Sequence, residues 1–312
     1  MPARFRYGFI GSSDNHKARA GTGYKEFGRK AMADGWGFRD DVLQFAGSES
    51  EGGAEPVDFE SVPVAALLAP ERGASFYYTG GLVAVHAEGR AREKIWHSLE
   101  QREVYGTSGD RILLWFDLID GAAVGSPSGA TRHPMGSEVS IDATPRFEVR
   151  AAGALEQLPG CPAGIEKQLT KERLQRLCLG ECYNPGDQRK RITRIEVVRI
   201  RPQLRADEPL EPLIEDPWRV FVCPTDPAGC RIEFEDPDFL TQGREMVYYV
   251  RAIQEPSLAV GGDPLRCERD AAGRCIKTRP CYASGPKFDP SDEFLAPIEE
   301  RAWSSPIFLQ PS

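Results

Sequence analysis

Apolar residues follow two regimes along this chain. Before about residue 110 they occur as short runs divided by long polar stretches. Tyr7 to Ile10 reads as a buried strand that ends at the turn Gly11-Ser12-Ser13. From Lys17 to roughly Glu60 the chain is polar and glycine-rich, with a short helix expected over Tyr24–Met32 and a loop over Gly47–Pro56. Ser61–Leu68 is a second apolar run, and Gly80–Val85 is a further expected strand. Arg90–Glu103 reads as an amphipathic helix, because Ala91, Ile95 and Leu99 are spaced by four. From Arg111 onward strands dominate, at Ile112–Ile119, Phe147–Arg150, Ile192–Ile200, Arg219–Cys223, Arg231–Phe234 and Met246–Ile253. Turns rich in proline and glycine separate them, as in an antiparallel sandwich, and Leu169–Leu179 is the one helical interruption. The pattern predicts two domains, 1–110 and 111–312, of an α+β protein.

Candidate chemistry lies just after the first turn. Asp14 and His16 stand two residues apart. In extended backbone such residues point the same way, so a carboxylate oxygen and an imidazole nitrogen can reach one metal ion. Lys17, Arg19 and Lys25 follow as cations suited to holding a substrate phosphate. The donor pair suits zinc, manganese or iron. Gly21-Thr22-Gly23-Tyr24-Lys25 lacks the spacing and ending of a P-loop, which excludes that nucleotide site. The other histidines read as structural or surface residues: His86 after a strand, His97 off the apolar helix face, and His133 in a loop.

Gly11-Ser12-Ser13-Asp14-Asn15-His16 and Arg19 to Glu26 resemble the last metal-binding segment of a bacterial family of unknown function. That family belongs to the PHP (polymerase and histidinol phosphatase) superfamily of metallohydrolases. Gly80–Val85 with Glu88, Arg92–Trp96 running to Tyr105-Gly106-Thr107-Ser108-Gly109, and Ala302–Ile307 fit it in order. The resemblance implies a distorted β/α barrel with a multinuclear divalent-metal cluster, followed by a β-rich tail. It also implies that residues 1–110 are the terminal piece of that barrel and that the substrate is a small ester or phosphoester. The superfamily's His-x-His motif occurs nowhere among the four histidines. The chain therefore reads as the C-terminal part of a longer enzyme, inactive alone, whose exposed apolar edge would self-associate or pair with the missing barrel half. No single catalytic residue is assigned. The alternative reading is a non-catalytic, exported, β-rich binding or assembly module with a vestigial metal corner.

Composition narrows the partners. The chain is 40% hydrophobic and 28% charged, ordinary for a globular protein, and holds no apolar run able to cross a bilayer. A net charge of −8 argues against nucleic acid or an anionic membrane as partner. The basic run Arg189 to Arg201, interleaved with apolar residues, reads as a strand with a solvated cationic face. All eight cysteines lie between Cys161 and Cys281, without the paired CxxC of a structural zinc site. Disulfides in a periplasmic or secreted protein explain the even count; reduced thiols in a cytosolic protein are the alternative. Cys223 and Cys230 are the nearest candidate pair, across a turn-rich loop between two strands.

Overall fold

The architecture is taken from a computed structural model that describes residues 6–12, 23–32, 38–39, 80–120, 131–226, 228–263 and 266–312. Twelve strands carry the fold. They are β1 (Leu82–Val85), β2 (Val104–Thr107), β3 (Leu113–Asp120), β4 (Thr131–Pro134), β5 (Glu138–Ile141) and β6 (Arg146–Ala152). The rest are β7 (Ile192–Ile200), β8 (Ile214–Val222), β9 (Cys230–Glu235), β10 (Met246–Gln254), β11 (Arg301–Ser304) and β12 (Ile307–Pro311). One sheet runs β8-β7-β10-β11-β2-β1, with β12 continuing beside β10 and pairing with β5. The second sheet runs β9-β6-β3-β4, antiparallel throughout.

Alternation explains why the sheets stack. Leu114, Phe116 and Leu118 on β3, and Phe147, Val149 and Ala151 on β6, recur at every second position and are buried. Met246, Tyr248, Val250 and Ala252 on β10 do the same from the facing sheet, and both sets join one core. Phe147 binds the layers together: its ring lies 5.5 Å from Phe116, 4.9 Å from Phe234 and 4.8 Å from Tyr248. Such aromatic contacts contribute about 0.5–1.5 kcal/mol each beyond area burial. The product is a two-layer β-sandwich.

This overturns the expected barrel piece. The described residues form mostly antiparallel sheets with no closed barrel. β1 and β2 pair antiparallel, whereas a β/α barrel needs parallel neighbours joined by crossover helices. The helix between them, α1 (Arg92–Glu100), returns the chain to lie beside the strand it left. β2 then pairs with β11, so one sheet draws strands from both sides of residue 110.

Two local expectations also change. Phe9 and its neighbours belong to no strand, and Tyr7 and Ile10 are exposed. The Phe9 N–H donates to Ser305 Oγ at 2.9 Å instead of to a strand partner. On α1 the buried residue is Ser98, while Trp96 and Leu99 face solvent, so the stripe expected to bury is largely exposed. The helix expected over Leu169–Leu179 is α3 (Lys171–Cys178), and a further short helix, α2 (Ala163–Gln168), precedes it. Thr170 separates them and caps α3, its hydroxyl accepting from Arg173 N–H at 3.2 Å. Gly47–Pro56 and Ser61–Leu68 lie outside the described residues.

Candidate functional site

The segment leading toward Asp14 is seated by glycine. A Cβ on Gly106 would come within 2.7 Å of Gly11 N, and one on Gly11 within 2.8 Å of the Leu82 and Thr107 carbonyls. A Cβ on Gly81 would meet Ser12 N at 2.9 Å. Main chain therefore crosses main chain at one point, which only residues without a side chain permit. These glycines come from three separate stretches of the resemblance. Asp14, His16, Lys17 and Arg19 themselves lie outside the described residues.

Lys25 is described, and it is buried. Its ammonium donates to the Gly160 carbonyl at 2.8 Å and to Glu181 Oε2 at 2.5 Å. Glu181 Oε2 also accepts from Gly160 N–H at 2.9 Å. In this arrangement Lys25 ties two loops together instead of facing a ligand.

A different lysine reaches a cleft. Tyr24, Glu26, Phe27, Glu156, Gln157 and Lys190 line a hollow of about 190 Å³. Lys190 Nζ donates to Asp110 Oδ2 at 3.0 Å and Ser257 Oγ at 3.1 Å, and lies 3.6 Å from Glu26 Oε1. Burial alone would lower its pKa, but the adjacent Asp110 and Glu26 carboxylates hold it above the ordinary lysine value. Gln254 locks the same carboxylate from the other side: its Nε2 donates to Asp110 at 2.6 Å, and its Oε1 accepts from Ala154 N–H at 2.9 Å. One turn away the Ser108 hydroxyl donates to Glu300 and accepts from Arg301 N–H. The Thr107–Asp110 turn is thus held by a buried polar network spanning strands far apart in sequence. Reading the basic run as a solvated face hid Lys190, and nothing local to Asp110 marks it. Only their meeting in space reveals the pair.

The histidines fall as follows. His86 lies between Tyr105 and Trp115, 5.4 and 5.6 Å from their rings, with its Nε2 2.8 Å from the Leu114 carbonyl. His97 is exposed on α1. His133 belongs to β4, not a loop, with Nε2 3.9 Å from Asp120.

Three disulfides form, Cys161–Cys182, Cys223–Cys230 and Cys267–Cys275. Cys223–Cys230 is the expected nearest pair, and it staples the end of β8 to the start of β9, one strand from each sheet. Bridges of this number fit an extracellular or otherwise oxidising compartment. Among the described residues no helix is long and apolar enough to cross a membrane.

Fold and cysteines together define a disulfide-stapled β-sandwich, with the 6–12 segment passing close over Gly81 and Gly106. Residues 3–153 match the model of a family described as a protein of unknown function (DUF3604). No curated protein and no solved structure matches the chain.

Proposed function

We propose that this chain is the β-rich C-terminal part of a PHP-like, metal-dependent hydrolase of small phosphoesters or similar esters. Asp14 and His16 supply one corner of the metal site, and the chain alone is inactive. The observation that carries the reading is the backbone crossing at Gly11, Gly81 and Gly106. Three stretches of the resemblance, scattered through the sequence, converge where the chain leaves for Asp14. The match over residues 3–153 covers the same stretches. A carboxylate and an imidazole are suitable donors for zinc, manganese or iron. A bound divalent ion would supply a water acidified enough to act as hydroxide near neutral pH. Lys17 and Arg19, just beyond the donors in sequence, would neutralise the scissile group's charge.

A second reading, a binding or assembly module with a vestigial metal corner, is favoured by one observation. Tyr7, Ile10, Val83, Trp96 and Leu99 are all exposed on or beside the β1 edge of the main sheet. On the first reading those residues receive the remainder of the enzyme; on the second they receive another partner.

Metal content after dialysis against manganese or zinc, measured beside turnover of a phosphodiester panel, tests the proposal. Weak metal retention that disappears in Asp14→Ala and His16→Ala, without turnover, is expected. Metal content indifferent to both substitutions would overturn the metal corner. Stoichiometric metal with turnover abolished by Asp14→Ala would instead show a complete site.

A further inference from the structure

Cys161, Cys178 and Cys182 place three sulfurs within 4.8 Å of one another. Cys161 and Cys182 are bridged. Cys178, outside the bridges, has its sulfur 3.4 Å from Cys182 Sγ and 3.9 Å from Cys161 Sγ. A thiol in van der Waals contact with both atoms of a disulfide is within reach for exchange, though it lies beside the bond and must swing into line with it to react.

The surrounding chain keeps that arrangement. Cys178 is the last residue of α3; Leu179 and Gly180, both at positive φ, then reverse the chain so that Cys182 returns beside Cys178. Lys25 and Glu181 bind Gly160, so the residues just before Cys161 and Cys182 are tied together by polar contacts independent of the sulfurs. Breaking the bridge would not part the loops. Each sulfur would stay within reach of the other two.

We infer that these three cysteines form a thiol–disulfide exchange site in which the bridge migrates among the sulfurs. The Cys178 side chain first rotates, releasing its 3.3 Å contact with the Leu174 carbonyl, to align with the bond it attacks. As thiolate it attacks Cys182 Sγ. A Cys178–Cys182 bond forms as Cys161–Cys182 breaks, and the electron pair departs on Cys161 Sγ. Cys161 then takes up a proton, replacing the one Cys178 gave to water. The number of disulfides is unchanged, so neither oxidant nor reductant is consumed. Cys161 is buried and Cys178 only half-buried, so migration decides whether the reactive thiol faces solvent or the interior. The inference is independent of the metal chemistry proposed above.

The test is peptide mapping under non-reducing conditions. The protein is held at about pH 8 or at acid pH, where exchange is slow. It is then unfolded in acid, alkylated and cleaved with trypsin and a glutamate-specific protease, which cut between all three cysteines. Label divided between Cys178 and Cys161 after incubation at the higher pH is expected; label confined to Cys178 at every time would overturn the site. The Cys161→Ser variant provides a second arm. A Cys178–Cys182 bridge should form in it, whereas two alkylatable thiols at those positions would count against migration. Should that variant fail to fold, the wild-type label distribution decides alone.

Discussion

Gly106 has room for a hydrogen and nothing larger, because the atom a Cβ would strike is the Gly11 backbone nitrogen rather than a movable side chain. Gly106→Ala should therefore cost about 1–3 kcal/mol, the range for overpacking a site that cannot yield. Urea denaturation measures the loss, and accelerated proteolysis of the 6–12 arm would show where it falls. Glu148 offers a pH test. Burial by itself pushes its carboxyl up, but the hydrogen bond and charge of Arg132, with Arg231 and Arg150, hold it below its usual 4.5. The lowered folded-state value means this stabilisation is present above the unfolded-state pKa and is lost as pH falls through the folded one. The gap in melting temperature between wild type and Glu148→Gln should therefore be widest near neutrality and close in acid. Residue types alone foretold neither case. Lys25 looked like a phosphate ligand for the same reason Lys190 looked like surface: a sequence records charge, not what the charge meets.

At the scale of elements, legibility tracked the hydrophobic alternation. Ile192–Ile200 was expected and found with the same bounds, and β3, β6, β9 and β10 were each anticipated within one or a few residues, because their inward positions are aliphatic or aromatic. β11 was not anticipated as a strand. Its inward residues include Ser304, fully buried, whose hydroxyl accepts from Val250 N–H at 3.0 Å. A strand whose burial is paid for by hydrogen bonds leaves no apolar signature. Arg199 misled in the same way: it is buried on β7, gripped by Asp236 and Glu215, and stacked 4.3 Å over Trp218. Asp236→Ala would leave that guanidinium hydrogen-bonded to Glu215 alone and should destabilise by roughly 1.5–3 kcal/mol, the range for a lost hydrogen bond to a charged group. Calorimetry reads this directly. Removing the Cys223–Cys230 staple by a double Ser substitution should cost about 2–3 kcal/mol for so short a loop, measurable by denaturant titration of the oxidised variant.

Across the whole molecule, the sandwich half was legible because two facing sheets impose a repeating pattern on many residues at once. The first part was not. The other neighbour of β2 is β11, some two hundred residues further along, and no local run of residues encodes that distance. The candidate metal pair was legible as chemistry only, since Asp14 and His16 lie outside the described residues. The exposed apolar residues around β1 give a test at this scale. Val83→Glu combined with Trp96→Glu should shift any self-association seen by sedimentation toward monomer, while the melting temperature moves little, because both side chains are already in water.

The position of β11 also bears on biosynthesis. It fills the place between β10 and β2, although it is translated long after β2. At about 5–20 residues per second, the ribosome needs on the order of ten to forty seconds to travel from β2 to β11. Throughout that interval β2 has no neighbour on its inner edge, and unsatisfied strand edges recruit other chains. A nascent chain of this topology would benefit from a holding chaperone, or from crossing an export channel before it folds. Its yield in a heterologous host should then respond more to chaperone supply than to synthesis rate.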